Sequence, residues 1–122
     1  MNIKGIGTDI VEIKKLRLAY TRRGQTLLNK IFTDKEKKYC LKYKDPLPHF
    51  AARFAVKEAI VKAFGTGFGK DISFKDIEML NNSNGEPKIN LSKKLQKKFN
   101  NPNILISISH SESYAIAFCI IQ

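Results

Sequence analysis

The chain has 122 residues, 43% hydrophobic and 27% charged, the balance of one soluble folded domain (1–122) with a real core and little room for a second. Its 22 Lys+Arg against 11 Asp+Glu leave a formal net charge of +11, which points to polyanionic partners: nucleic acid, anionic membrane surfaces, phosphorylated ligands or acidic proteins. No apolar run reaches the length of a membrane span, which excludes a transmembrane helix. The opening Met1-Asn2-Ile3-Lys4-Gly5 lacks the pattern of a cleavable leader, so a cytoplasmic location is expected. Cys40 and Cys119 are too far apart in sequence to suggest a thiolate zinc site or a disulfide framework, and read as ordinary reduced cysteines.

In chain order, Ile3 to Ile10 reads as a short strand. Ile13 to Arg23 then reads as a helix, with Ile13, Leu16 and Tyr20 on one face, Lys15, Ala19 and Arg22 on another, and Gly24 as its breaker. A short helical stretch holds Leu27, Leu28 and Ile31. Thr33-Asp34-Lys35-Glu36 is a capping-box signature for a helix running through Tyr43, stopped at Asp45-Pro46-Leu47-Pro48. The longest helix is expected from His49 to Phe64, ending at the glycines after Gly65. Strands are expected over Phe74 to Leu80 and Lys88 to Leu91, joined through Asn84-Gly85. Ser92 caps a basic helix through Phe99. Ile104 to Ser109 and Tyr114 to Ile121 complete an α+β fold, an antiparallel sheet packed against a long helix.

Two acidic residues stand out against this basic background. Asp9 ends the apolar segment Gly5-Ile6-Gly7-Thr8-Asp9, and Glu58 lies in the long helix. A carboxylate among apolar neighbours requires a partner, and a hard cation that also grips a phosphate would serve both. Blander roles compete: Asp9 as a helix N-cap, and Glu58 with Lys62 as an i,i+4 surface pair. Gly5 and Gly7 mark close approach of a backbone or a ligand. Arg53, Lys57 and Lys62 project from the same helix and could hold phosphate oxygens around a cation at Glu58. Ser107, Ser109 and Ser111 alternate onto one strand face, with His110 at its end, which suits a phosphate pocket better than a hydrolase triad. His49, beside Pro48, reads as structural.

Together these segments resemble the holo-acyl-carrier-protein synthases, the small single-domain type of 4′-phosphopantetheinyl transferase. The matching blocks are Gly5-Ile6-Gly7-Thr8-Asp9-Ile10-Val11-Glu12-Ile13, Arg53-Phe54-Ala55-Val56-Lys57-Glu58-Ala59 through Lys62-Ala63-Phe64-Gly65-Thr66-Gly67, Asp76-Ile77-Glu78, Asn84-Gly85-Glu86-Pro87 and Ser107-Ile108-Ser109-His110. Val56 departs mildly from a frequent alanine. The resemblance implies transfer of 4′-phosphopantetheine from coenzyme A to a serine of apo-acyl carrier protein, serving fatty acid biosynthesis and releasing adenosine 3′,5′-bisphosphate. It implies a homotrimer with active sites between subunits. Asp9 and Glu58 would hold Mg²⁺, with Mn²⁺ not distinguished, and Lys62 would contact the same phosphates. Arg53, Lys57, Gly65, Ser109 and His110 would contribute further coenzyme A contacts. Glu58, directly or through water, competes with Lys62 as the base that accepts the serine proton. The acidic carrier protein would dock on Lys14, Lys15, Leu18, Arg22 and Arg23. A small nucleic-acid-binding module, with Lys93, Lys94, Lys97 and Lys98 as a phosphate-tracking stripe, is the alternative from composition; it leaves Asp9 and Glu58 without a role.

Overall fold

The computed structural model describes residues 2–122. Met1, part of the stretch read above for a leader, lies outside them. Strand β1 (Gly5–Glu12) leads directly into helix α1 (Ile13–Arg23), followed by α2 (Gln25–Ile31), α3 (Asp34–Leu41) and the long α4 (Leu47–Phe64). A 3-10 turn (Phe74–Asp76) opens the hairpin β2 (Ile77–Asn81) and β3 (Pro87–Leu91); α5 (Lys93–Lys98), β4 (Ile104–His110) and β5 (Tyr114–Ile121) complete the chain. An antiparallel sheet in the order β1-β5-β4 lies against α4, and the hairpin forms a separate pair of strands. This is the α+β arrangement expected. No helix among the described residues is long and apolar enough to cross a membrane.

Most elements start and stop where local chemistry says they should. The Thr33 hydroxyl accepts the Glu36 amide while the Glu36 carboxylate accepts the Thr33 amide, a complete capping box. Ser92 caps α5 through the Leu95 amide. Gly65 closes α4 in the left-handed region, φ 77°, where a side chain would be strained. Several boundaries differ from expectation: the first strand, expected over Ile3 to Ile10, runs from Gly5 to Glu12. The third helix stops at Leu41 rather than Tyr43, and α4 begins at Leu47 because Pro48 sits in its first turn, where no intrahelical N–H is lost. Residues 74–76 form a turn capped by Ser73 and Asp76 instead of the start of a strand.

Helix α4 is buried on nearly every side, as its runs of Ala, Val and Ile dictate. Ala55, Ala59, Ile60 and Val56 are fully enclosed, with Ala115, Ala117 and Cys119 of β5 packed in the same core. Two steps along a strand span about 6.7 Å and four residues of helix about 6 Å, so Gly7 and Gly5 fall in register with Ala59 and Ala63. A Cβ on Gly7 would collide with the Ala59 carbonyl oxygen, and one on Gly5 with that of Ala63. The close approach that these glycines permit is therefore between the strand and helix backbones. It brings β1 against α4, and with it the next inward-facing residue, Asp9.

Candidate active site

Strand alternation sends Gly5, Gly7, Asp9 and Val11 toward α4, and Ile6, Thr8 and Ile10 away from it. On α4, the less buried positions Phe54, Glu58 and Lys62 recur every four residues and form one stripe on an otherwise enclosed helix. Asp9 and Glu58 meet in one cleft of about 440 Å³, shared with Val11, Glu12, Lys15, Leu16, Leu27, Ile31 and Phe54. Helix α1 begins at Ile13, so Asp9 caps nothing and stays inside β1.

The electrostatics of the cleft follow from crowding two anions on a partly buried surface. Burial pushes the Glu58 carboxyl above its ordinary range, the charge of Asp9 pushes it further, and Lys62 partly offsets both. Glu58 has no ion-pair partner among the described residues. Lys62, four residues on, reaches instead to Asp9 Oδ1 (3.0 Å) and to the Thr8 carbonyl (3.0 Å). An exposed ammonium already rests against one carboxylate while the second has no ion-pair contact among the described residues. No cluster of three or more His, Cys, Asp or Glu among the described residues could form a closed metal cage. Two carboxylates at an open cleft suit Mg²⁺, which retains waters and shares its shell with substrate phosphates.

The other expected site residues do not all join them. Lys57 is corrected: it is fully buried, its ammonium donating to Glu36, Ile31 and Phe74, with no donor left for a ligand. The expected cluster of cations around Glu58 is therefore reduced to Lys62, because Arg53 is also buried and lies elsewhere. Arg53 donates to Asn81 Oδ1 (2.7 Å) and more weakly to the His49 carbonyl (3.4 Å), with its guanidinium 4.3 Å from the Tyr39 ring centroid. Its Nε has no partner. His49 stacks on Tyr43, centroids 3.7 Å apart. Ser109 and His110 are exposed at the end of β4, and Ser111 accepts the Ser113 and Tyr114 amides in the following turn. The larger groove between the edges of β3 and β4, about 620 Å³, contains none of the expected site residues.

On α1, Lys14, Lys15, Leu18, Arg22 and Arg23 are all exposed, whereas Ile13 and Leu16 are buried. Lys15 also lines the cleft, so this basic face runs into the Asp9–Glu58 site without a break. The Glu36 role was missed from sequence: its partner Lys57 is 21 residues away, and no spacing pattern announces the contact.

This strand-on-helix site, with carboxylates supplied from β1 and α4, belongs to a known class. Residues 5–119 match the family model of the 4′-phosphopantetheinyl transferase superfamily, and the chain belongs to that family. Within it, the chain is 49% identical over 116 residues to a holo-[acyl-carrier-protein] synthase of Protochlamydia amoebophila, covering 95% of each. The crystal structure of the Neisseria meningitidis holo-[acyl-carrier-protein] synthase superposes with a TM-score of 0.91 at 31% identity, covering 99% of both chains. The Helicobacter pylori enzyme, solved in complex with coenzyme A, gives 0.87 at 35% identity, covering 96% of this chain and 99% of that one.

Proposed function

We propose that this protein transfers 4′-phosphopantetheine from coenzyme A to a serine hydroxyl of apo-acyl carrier protein. The convergence of Asp9 and Glu58 on one cleft, with Lys62 beside them, carries this reading. The serine oxygen forms a bond to the phosphorus nearer the pantetheine. The pyrophosphate bridge breaks, and adenosine 3′,5′-bisphosphate leaves with the bridging oxygen. Asp9 and Glu58 would hold a Mg²⁺ ion, which when bound neutralises charge on the pyrophosphate. Lys62 can exchange its contact with Asp9 for a phosphate oxygen. Glu58, directly or through a water, is the proposed acceptor of the serine proton, since it stands in the cleft beside Asp9 without an ion-pair partner of its own among the described residues. The test is mass spectrometry of apo-acyl carrier protein. A gain of one phosphopantetheine that requires both coenzyme A and Mg²⁺ is expected; no gain with both present overturns the assignment.

Self-association would complete the site. The outward face of the β1-β5-β4 sheet is apolar and open: Ile6 and Ile10 are each 59% exposed, Leu105 47%, and Ile116 and Phe118 each 40%. The register sets Ile10 opposite Ile116, Thr8 opposite Phe118, and Ser109 opposite Ile116 on this same face. Such a patch on a soluble protein marks an interface. A trimer formed through it would carry Ser109 and His110 toward a neighbour's cleft. Phe118→Asp should yield monomers by light scattering and lose coenzyme A binding together; a fully active monomer would refute the shared site.

The basic face of α1 is the proposed dock for the acidic carrier protein. Its continuity with the cleft through Lys15 favours it over the lysines of α5, which lie away from Asp9 and Glu58.

A further inference from the structure

Behind the cleft, α4 is fixed by an ion pair sealed from solvent. The Lys57 ammonium donates to Glu36 Oε1 (2.7 Å), the Ile31 carbonyl (2.7 Å) and the Phe74 carbonyl (3.0 Å), using all of its N–H groups. Glu36 in turn accepts the backbone amides of Thr33 (2.9 Å) and Met79 (3.0 Å), and the Thr33 hydroxyl donates to Glu78 (2.5 Å). The buried pair thus ties together the end of α2, the first turn of α3, the middle of α4 and the turn before β2 through Lys57, and β2 itself through Glu36.

These ties lead back to the cleft. Ile31 offers its carbonyl to Lys57 and its side chain to the cleft wall. Phe74 offers the other carbonyl, and its ring packs 5.8 Å from that of Phe54, which also lines the cleft. Lys57 immediately precedes Glu58, and neighbouring helical residues are rotated by about 100° around the axis. Holding Lys57 toward α2 and α3 therefore fixes the rotation at which Glu58 faces Asp9. Packing alone does not explain a buried ion pair here, because apolar residues of similar volume stabilise a core equally well or better.

We propose that Lys57 and Glu36 are positioning residues for metal binding: the sealed pair sets the rotation of α4 and the seats of Ile31 and Phe54, and so aims the Glu58 carboxylate. This rests on the reading of Glu58 as a metal ligand. Outer contacts that orient a ligand change metal affinity by about 10–100-fold when removed. Neither residue of the pair can touch the metal or coenzyme A, since both side chains are fully buried.

The test compares Glu36→Gln, Lys57→Arg and Glu58→Gln with the parent chain. Mn²⁺ binding is followed by electron paramagnetic resonance, and Mg²⁺ activation by transfer assay, at a temperature where circular dichroism shows the native fold. Glu36→Gln should raise the Mn²⁺ dissociation constant and the Mg²⁺ half-saturation about tenfold. Lys57→Arg keeps the charge but cannot repeat the ammonium's donor directions; it should shift both constants the same way, and it carries the test if Glu36→Gln does not fold. A folded variant of either residue with parental metal constants, however lowered its melting temperature, overturns the proposal. Glu58→Gln separates the two readings. Lost Mn²⁺ binding there, with unchanged binding in Glu36→Gln, refutes positioning alone. Unchanged binding in Glu58→Gln refutes the ligand assignment beneath it.

Discussion

Helix α4 carries two lysine–carboxylate pairs whose lysines are five residues apart. Lys57 and Glu36 are 2.7 Å apart with both side chains 0% exposed, whereas Lys62 and Asp9 are 3.0 Å apart with side chains 52% and 17% exposed. The chemistry of the groups is the same; their surroundings separate the roles. In the interior, the desolvated pair is committed, because removing one partner leaves a buried charge with no water to receive it. At the cleft, solvent screens the attraction and lets either group change partners at small cost. A structural tether must be the first kind, and a group that grips and releases a substrate phosphate must be the second.

The contrast breaks most severely at the cleft carboxylates. Asp9→Ala and Glu58→Ala should each lower Mg²⁺-dependent transfer by about two to three orders of magnitude, the scale on which loss of one charge-stabilising group is felt. Circular dichroism should still show the folded protein. Near-normal rates in either variant would remove that residue from the site. Next come the lysines themselves. Lys57→Met strands Glu36 and should destabilise the fold by about 3–5 kcal/mol, read by urea unfolding. Lys62→Met should alter stability by less than about 1 kcal/mol yet sharply reduce turnover. Equal stability losses in the two variants would erase the distinction between tether and ligand contact.

How much of this was legible in the sequence depended on range. Thr33 and Glu36 announced their capping box because both partners lie within one turn, and Tyr114 to Ile121 announced its strand as a short apolar run. The four-residue spacing of Glu58 and Lys62 placed them on one side of α4, and the family blocks singled out Asp9 as their counterpart. What failed was the fate of Lys57. Helical spacing gives the direction of a side chain, but not whether another element closes over it. Here α2, α3 and the turn at Phe74 do so. Glu36 was disguised by its cap: the same carboxylate completes a local motif and receives a distant cation, and only the first role follows from neighbours in sequence. Likewise Gly7 signalled a close approach, but the partner, the Ala59 carbonyl, required the strand to be laid on the helix.

The exposed pair can be sharpened from outside. Lys15 borders the cleft and Arg22 lies further along the same helix, so reversing both to Glu should raise KM for the carrier protein by about tenfold through slower encounter. KM for coenzyme A should remain nearly constant. Steady-state kinetics with each substrate varied in turn decides this, and equal damage to both constants would place these cations in the coenzyme A site instead.

The smallest expected effect concerns stability at Glu58, the cleft carboxylate with no ion-pair contact among the described residues. Glu58 has its carboxyl raised by burial and by Asp9, so the folded chain binds that proton more tightly than the unfolded chain does. Stability contributed by this group is present below the unfolded-state pKa and is lost as pH rises through the folded value. At neutral pH the ionised carboxylate therefore opposes folding slightly in the metal-free protein. Glu58→Gln removes that opposition and should melt a little higher than the parent at pH 7, with the advantage vanishing in acid, below the ordinary carboxylate range. Added Mg²⁺ should stabilise the parent and not the variant, because only the parent retains the charge that the ion compensates. A scanning-calorimetry series across pH, with and without Mg²⁺, measures both signs. A variant less stable than the parent at neutral pH without metal would mean that Glu58 is held by contacts favouring its charge, contrary to a carboxylate kept ready for a cation.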